Sequence, residues 1–444
     1  MTPTAAPPPA RTGRSRRRSP GAGGGATGGA RTGESPTLNK GNNQAIREVN
    51  RSIILDLVRR DRRISRTELA RRSKLTKPTV STIVDELIAD GIVREVGFGA
   101  SVAGGGRPAR LLDFNEDSAA FLGVHFGMQD ITVAVADARG EIFETRSREA
   151  IFDSPAHSIK ALRPLVTEVL RAARVPRARI EGAAATVPGL YDQQSGVCVL
   201  APNLGWRDFP VRVALAEELG MPVTVHNITN ARAVAEGRVG AARGARSYVY
   251  VYVGWGVGSG IVADGRLFLG QRGLSGEVGH CPVVDGGPLC GCGRRGCLEA
   301  VASTMAMIRA IEQAIAAGEP TVLRDQPLDS ASITAAARAG DPLSCRILRQ
   351  VGRHVGRGVA YMLNILNPEM VVLAGPYVAA GEVLLAPLRA AVAQHAVHAD
   401  GVAIVPAIVG EHADLIGAVQ MAMDEAARSY RIVGGPASAA RMSY

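Results

Sequence analysis

Four side chains between residues 280 and 297 are of the types that bind a transition metal. His280 is followed by Cys290, Cys292 and Cys297, with glycines between the cysteines. One imidazole and three thiolates form a tetrahedral set typical of structural Zn²⁺, and interleaved glycines suit a loop wrapped around an ion. We therefore predict a zinc cofactor. The clustering also favours a reducing compartment over a disulfide scaffold, and free thiols are the alternative interpretation.

Two glutamates bracket this cysteine loop, in Gly-Glu277-Val-Gly-His280 before it and Cys297-Leu-Glu299 after it. These motifs together resemble the signature of the ROK family (repressors, open reading frames and sugar kinases), and the likeness extends from residue 42 to about residue 430. The resemblance implies an actin-like, ribonuclease-H-like fold in which two lobes hold a sugar between them. It also implies a set of sugar-binding residues, with His280 shared between sugar and zinc: Gly189, Asn203, Asn227, Glu277, His280 and Glu299.

Carboxylates and amides are the groups that discriminate sugar hydroxyls, so this set makes chemical sense. Gly189 and Asn203 can equally be turn residues. The two glutamates are harder to explain in that way, because they flank the predicted metal loop.

The same resemblance indicates that kinase chemistry is lost. In the family's kinases an Asp follows the sugar-binding Asn and acts as the general base, whereas this chain has Ile228, which cannot accept a proton. His125 and Gln129 replace the Asp and Thr of the first phosphate loop, Trp255 lies in the second, and Pro376 interrupts the adenosine-side Gly-Gly. Loss of the base alone would cost roughly 10²–10⁴-fold in rate. We expect no catalytic residue and no ATP cofactor.

Residues 42–115 have the pattern of a winged helix-turn-helix. A capping box from Ser65 to Glu68 opens a second helix, and Thr76, with Pro78 in the first turn, opens a third. A basic hairpin follows, with strands at 92–96 and 110–114. The apolar face of the first helix is predicted to consist of Ile46, Val49, Ile53 and Leu57, and that of the third of Val80, Ile83, Val84, Leu87 and Ile88.

The third helix would leave a polar set open near its N-terminus, where it can contact base edges and phosphates of a double-stranded DNA operator: Lys77, Thr79, Ser81 and Thr82. Arg107 and Arg110, in the hairpin, could follow the DNA backbone or enter the minor groove. A small helical docking domain with a solvated basic face is the alternative.

The distribution of charge supports a polyanionic partner for the N-terminal part. Residues 1–110 contain 21 Lys and Arg against 9 Asp and Glu, whereas the rest of the chain contains 30 against 32. Aromatic residues make up only 4%, which argues against stacking on single-stranded nucleic acid. Residues 1–41 are expected to be a disordered basic tail, and residues 431–444 a flexible C-terminal one.

From residue 119 to residue 430 the pattern alternates between strands and helices, which predicts an α/β fold of two lobes. Phe121–Phe126 and Ile131–Ala136 are predicted to pair as a hairpin, and 248–253 and 370–373 to form buried strands. Helices are expected around 211–219 and 347–366. No run of about 18 apolar residues suggests a membrane span, so we expect a cytoplasmic, nucleoid-associated protein.

The combined pattern favours a sugar-responsive transcriptional regulator, and among regulators a repressor of carbohydrate-utilisation genes. We expect a homodimer or a dimer of dimers, because the two copies could then contact a palindromic operator. An active sugar kinase with a fused DNA-binding domain is one alternative. A regulator controlled by a partner protein, with a vestigial sugar site, is another.

Overall fold

The computed structural model describes residues 38–99, 108–149 and 154–433. Most of the two predicted tails and Arg107 of the predicted DNA-binding set lie outside the described residues. Within the described ranges, no helix combines the length and apolarity that a membrane span requires.

The N-terminal module contains the helices and the wing that the sequence predicts. Its elements are α1 (Leu38–Arg60), β1 (Ile64–Ser65), α2 (Arg66–Ser73), α3 (Lys77–Ala89), β2 (Val93–Phe98) and β3 (Arg110–Phe114), with the strands in the order β1-β3-β2. Ser65 Oγ accepts from Glu68 N at 3.2 Å and Thr76 Oγ1 from Thr79 N at 3.3 Å, which confirms both predicted caps. The predicted core residues of α3 are buried, with Ile88 partly so.

The prediction of which residues of α1 face the core is wrong, because the buried residues lie one position further along the helix. Ile54 and Val58 are fully buried in the module's core, whereas Ile46, Val49 and Ile53 are 52%, 58% and 38% exposed. The segment around residues 53–58 has apolar residues on two adjacent stripes, so helical periodicity cannot decide which stripe faces α2 and α3.

The first lobe is built on a five-stranded sheet in the order β11-β7-β4-β5-β6. β4 and β5 form the predicted antiparallel hairpin, and β7 and β11 add in parallel. Its strands and helices are β4 (Ala120–Phe126), β5 (Asp130–Asp137), β6 (Ile142–Glu149), α4 (Pro155–Lys160), α5 (Leu162–Ala173), β7 (Ile180–Val187), β8 (Leu190–Asp192), β9 (Val197–Ala201), β10 (Trp206–Phe209), α6 (Val211–Leu219) and β11 (Val223–Asn227).

A helix, α7 (Ile228–Val239), leads from β11 to the second lobe, whose sheet has the order β14-β13-β12-β15-β16. The predicted buried strands are β12 and β15, which pair in parallel. The elements of this lobe are β12 (Tyr248–Val253), β13 (Val257–Ala263), β14 (Arg266–Leu267), α8 (Leu298–Ala302), α9 (Thr304–Ala316), α10 (Ser330–Arg338), α11 (Pro342–Leu366), β15 (Met370–Ala374), α12 (Glu382–His395) and β16 (Ala403–Pro406).

Two helices connect the lobes. α7 packs on β12 and β13 of the second lobe, and α13 (Ala413–Val433) packs on β4 and β7 of the first. The two helices pack on each other so closely that a Cβ on Gly417 would lie 2.0 Å from the carbonyl oxygen of Ala231. Any change in the angle between the lobes must therefore involve the contact between α7 and α13.

Candidate functional site

The four predicted metal ligands meet in one cluster before α8. Their ligand atoms all lie within 4.8 Å of one another, with Cys290 Sγ 3.7 Å from His280 Nδ1 and Cys292 Sγ 3.7 Å from Cys297 Sγ. Donors bonded to one tetrahedral Zn²⁺ at about 2.0–2.3 Å are separated by about 3.5–3.8 Å. Two of the donor pairs have this separation, and the donor types fit zinc.

The loop is shaped for a compact group of donors. Cys290 N donates to Arg294 O at 2.7 Å and Gly293 N to Cys290 O at 2.9 Å, which folds the chain into a tight knuckle. Gly296 has φ of +71°, and a Cβ there would lie 1.8 Å from Val284 O. Burial raises the pKa of the Cys290 thiol and raises that of Cys297 to about 12, so a bound cation would supply the charge that keeps these sulfurs ionised.

The two glutamates and His280 lie together on the cleft side of this loop. His280 Nε2 is 3.9 Å from Glu277 Oε2, while Nδ1 faces the cysteines. Burial and then the charge of Glu299 raise the pKa of Glu277 to about 7. The Glu277 side chain is nonetheless 39% exposed, so it can reach a ligand. Glu299 Oε2 accepts from Val257 N at 3.0 Å, which leaves its second oxygen for a hydroxyl.

Asn227 and Gly189 are joined directly on the side of the first lobe. Asn227 Nδ2 donates to Gly189 O at 2.7 Å, and Asn227 Oδ1 caps α7 by accepting from Thr229 N at 2.7 Å. Gly189 has φ of +88°, and a Cβ there would lie 2.2 Å from Leu200 O, so glycine is required for the turn. Asn227 therefore keeps one N–H of its amide for a ligand. Its other N–H and its carbonyl oxygen hold the Gly189 turn and the start of α7.

A chain of polar contacts connects this pair to the glutamates. Thr229 Oγ1 is 2.6 Å from Asn227 Oδ1 and 3.2 Å from Ser259 O, and Ser259 Oγ donates to Gly276 O at 2.6 Å. Gly276 directly precedes Glu277. These contacts thus link predicted sugar residues of both lobes, and the backbone of Asn203 lies in the 3₁₀ turn Pro202–Leu204.

Ile228 is the first residue of α7, directly after the Asn227 cap. Its side chain is half-buried, at the position where the sequence leads us to expect a kinase to have its general base. An aliphatic group here cannot deprotonate a sugar hydroxyl.

The loop that corresponds to the first phosphate loop contains a carboxylate. Gly127 N donates to Asp130 O at 2.8 Å, and a Cβ on Gly127 would lie 2.1 Å from Asp130 Oδ1. Asp130 Oδ2 in turn accepts from Thr132 Oγ1 at 2.8 Å and from Ser147 Oγ at 3.1 Å. A fixed negative charge over this turn would repel a phosphate.

Beside this loop, an ion pair joins the two connecting helices. Arg232 Nε and Nη2 donate to Asp414 Oδ1 and Oδ2 at 2.7 and 2.9 Å, and the guanidinium lies 4.7 Å from the centre of the Tyr252 ring. His125 Nε2 is 3.8 Å from the same carboxylate and Nδ1 is 2.9 Å from Thr186 Oγ1. Burial lowers the pKa of His125, with Asp414 opposing and Arg232 reinforcing that shift.

The side chains of the predicted DNA-binding set differ in exposure and in their hydrogen bonds within the protein. Lys77, the first residue of α3, and Thr82 are exposed, whereas Thr79 and Ser81 are half-buried. The hydroxyl of Thr79 lies 2.8 Å from that of Thr76, and Thr82 Oγ1 donates to Pro78 O at 3.1 Å.

Arg110 bonds Glu95 across the wing and lies 5.9 Å from the centre of the Phe98 ring. Lys77 is therefore better placed for a phosphate than Arg110, which would first have to leave Glu95.

Sequence reasoning missed Thr229, Ser259, Arg232, Asp414 and Asp130 as members of the cleft. Asp130 and Thr229 adjoin motifs that were recognised, so local inspection could have found them. Arg232 and Asp414 are 182 residues apart and nothing in their local sequence marks them as partners.

Comparison with known proteins finds a family match for each of the two modules. Residues 121–425 match the ROK family, and residues 50–94 match a winged helix-turn-helix DNA-binding domain. The xylose repressor of Caldicellulosiruptor bescii is 33% identical over 80% of this chain and 90% of its own length.

Two solved structures are similar as well. A ROK family transcriptional regulator, a homolog of the E. coli MLC protein, covers 88% of this chain and 100% of its own with a TM-score of 0.77 and 28% identity. The ROK hexokinase of Thermus thermophilus covers 69% of this chain and 98% of its own, with a TM-score of 0.59 and 32% identity. The chain belongs to the ROK family, with a winged helix-turn-helix at its N-terminus.

Proposed function

We propose that the protein is a sugar-responsive, DNA-binding transcriptional repressor whose kinase-like domain senses a sugar without phosphorylating it. One observation is central to this proposal. The cleft combines Glu277, His280 and Glu299, which suit sugar hydroxyls, with Ile228 at the base position and a carboxylate at the first phosphate loop.

The sugar site consists of Gly189, Asn203, Asn227, Glu277, His280 and Glu299. Zn²⁺ bound by His280, Cys290, Cys292 and Cys297 has a structural role, because four protein ligands leave no position for an activated water. Nδ1 of His280 faces the thiols and Nε2 faces Glu277, so one imidazole can link the metal to the sugar.

The DNA site consists of α3 and the wing, with Lys77, Thr79, Ser81, Thr82, Arg107 and Arg110 as its contacts. We infer a homodimer that acts in the cytoplasm. A repressor of this type releases its operator when sugar stabilises a different angle between the lobes.

The experiment combines two measurements on the full-length protein. Genomic fragments retained by the protein are sequenced to define an operator. A thermal-shift panel then identifies the sugar, beginning with xylose, since the bescii relative is a xylose repressor. A sugar that stabilises the protein and weakens operator binding supports the proposal. Operator binding that is indifferent to every stabilising sugar refutes sugar control and leaves control by a partner protein.

A further inference from the structure

Arg139, in the turn between β5 and β6, makes the largest set of side-chain hydrogen bonds between this turn and the winged-helix module and its C-terminal end. This side chain is only 7% exposed. Its guanidinium bonds the carboxylate of Asp113 through Nη2, bonds Glu116 Oε1 through Nε at 2.8 Å, and donates from Nη1 to Arg59 O at 3.1 Å. A buried guanidinium needs such partners, because an unpaired buried charge is strongly destabilising.

The contact is reciprocal and partly apolar. Arg59 Nη2 donates to Ala138 O at 3.0 Å, and Ala138 is buried within the hydrophobic core of the winged-helix module. The guanidinium carbons of Arg59 and Arg139 lie 4.9 and 5.7 Å from the centre of the Phe114 ring. The turn is therefore part of the module's core although it belongs to the sheet of the first lobe.

The other side of the turn rests on α13. Gly140 has φ of +84°, and a Cβ there would lie 2.9 Å from Met423 Sδ. The same helix begins in the cleft, where Asp414 is bonded to Arg232 of α7. One continuous helix thus contacts both the cleft and the turn that is anchored in the DNA-binding module.

We propose that Arg139 is a positioning residue that locks the winged helix to the first lobe, so that a lobe movement caused by sugar moves the DNA-reading helix with it. The role in regulation rests on the proposed function, whereas the lock itself does not. Without the guanidinium, Asp113 and Glu116 would lose their shared cation, and only the contacts of Arg59, Ala138 and the exposed Arg62–Glu141 pair would remain, so the module would follow the lobe less closely.

The same junction offers a matched control. Arg62 and Glu141 also form an ion pair between the module and the turn, at 3.3 Å, but their side chains are 66% and 67% exposed. Water and salt screen such a pair, so its loss should have little effect.

The test compares full-length Arg139→Ala, Arg139→Lys and Arg62→Ala with wild type. Arg139→Ala should speed amide hydrogen exchange in residues 110–116 and 136–142 by about tenfold or more. Its affinity for the sugar that stabilises wild type should stay within about twofold, while the ratio of operator affinities without and with sugar falls by about fivefold or more. Arg139→Lys should give a ratio between those of Arg139→Ala and wild type. Arg62→Ala should have the exchange rates and the ratio of wild type.

Unchanged exchange at the junction, or an unchanged ratio despite faster exchange, would overturn the proposal. If Arg139→Ala fails to fold, the single variant Glu116→Gln weakens the lock while Arg139 keeps Asp113 as its counter-ion, and a wild-type ratio in that variant is equally decisive against it. If wild-type operator affinity ignores every sugar, the proposed function fails, but the exchange data still decide whether Arg139 locks the module.

Discussion

Position 228 lacks a general base, and we predict that placing an aspartate there is not enough to make a kinase. Ile228→Asp would restore a proton acceptor, but Asp130 would still place its carboxylate over the first phosphate turn. Neither wild type nor Ile228→Asp should form ADP from ATP, Mg²⁺ and a panel of sugars above the rate without protein. A coupled ADP assay measures this, with a ROK glucokinase as the positive control.

Sugar-dependent ADP formation by wild type that disappears in Glu277→Ala would show the kinase alternative to be right. ADP formation by Ile228→Asp alone would show that the phosphate loop still accepts ATP and that the Asp130 carboxylate does not exclude a phosphate.

The sequence predicted which single residues cluster together only when those residues are close in the chain. His280 and the three cysteines lie within 18 residues, so spacing alone predicted a cluster, and the structure brings their ligand atoms together. Arg232 and Asp414 could not be paired in this way, because only the packing of α7 on α13 brings them together. Asn227 was predicted as a sugar ligand, but its bonds to Gly189 and Thr229 depend on the backbone geometry of two loops.

Among the elements, the cysteine loop follows Glu277 and His280 of the proposed sugar site, and we predict that losing one proposed zinc ligand impairs both zinc and sugar binding. Purified wild type should contain about one Zn²⁺ per chain by elemental analysis. Cys292→Ser should lose most of it, unfold at a lower temperature, and bind sugar more weakly, because Glu277 and His280 flank the loop. Zinc-free, fully stable wild type would contradict the assignment.

The control for this prediction is Cys281→Ser. Cys281 directly follows His280 but is not among the four clustered donors, and its Sγ lies 4.0 Å from Glu277 O. The Cys281→Ser variant should retain both its zinc and its affinity for sugar. Equal losses in both variants would mean that the effect comes from disturbed packing and not from the metal.

The N-terminus of α3 is the element that should contact DNA. Lys77→Ala removes an exposed positive charge from its first position, so operator affinity should fall and the slope of log affinity against log salt should decrease by about one. Lys160→Ala, which removes an exposed lysine from α4, is the control and should leave both unchanged. An equal salt slope in Lys77→Ala and wild type would exclude a phosphate contact by Lys77.

Local signals predicted α2 and α3 well, since their caps involve residues three apart. The face of α1 was not predictable in the same way. Ile53 and Ile54 are equally apolar, and only contact with the rest of the module selects Ile54 for burial. The sequence therefore predicted which elements exist better than it predicted how they pack.

In the whole molecule, the cleft and the DNA-binding module must influence each other if the protein is a sensor, and Glu277 is the best probe of that coupling. Thermodynamic linkage requires that sugar weaken operator binding by the same factor by which operator weakens sugar binding, typically a factor of about 5–150. Glu277→Ala removes a carboxylate that is far in the chain from the winged helix, so sugar affinity should fall while operator affinity without sugar stays within about twofold of wild type. The variant should then remain on its operator at sugar concentrations that release wild type.

Fluorescence anisotropy with labelled operator measures this release, and Glu312→Ala, on the exposed side of α9, is the matched control. Loss of operator binding in Glu277→Ala without sugar would assign Glu277 a structural role, and a wild-type operator affinity that no cleft-binding sugar changes would refute the sensor model.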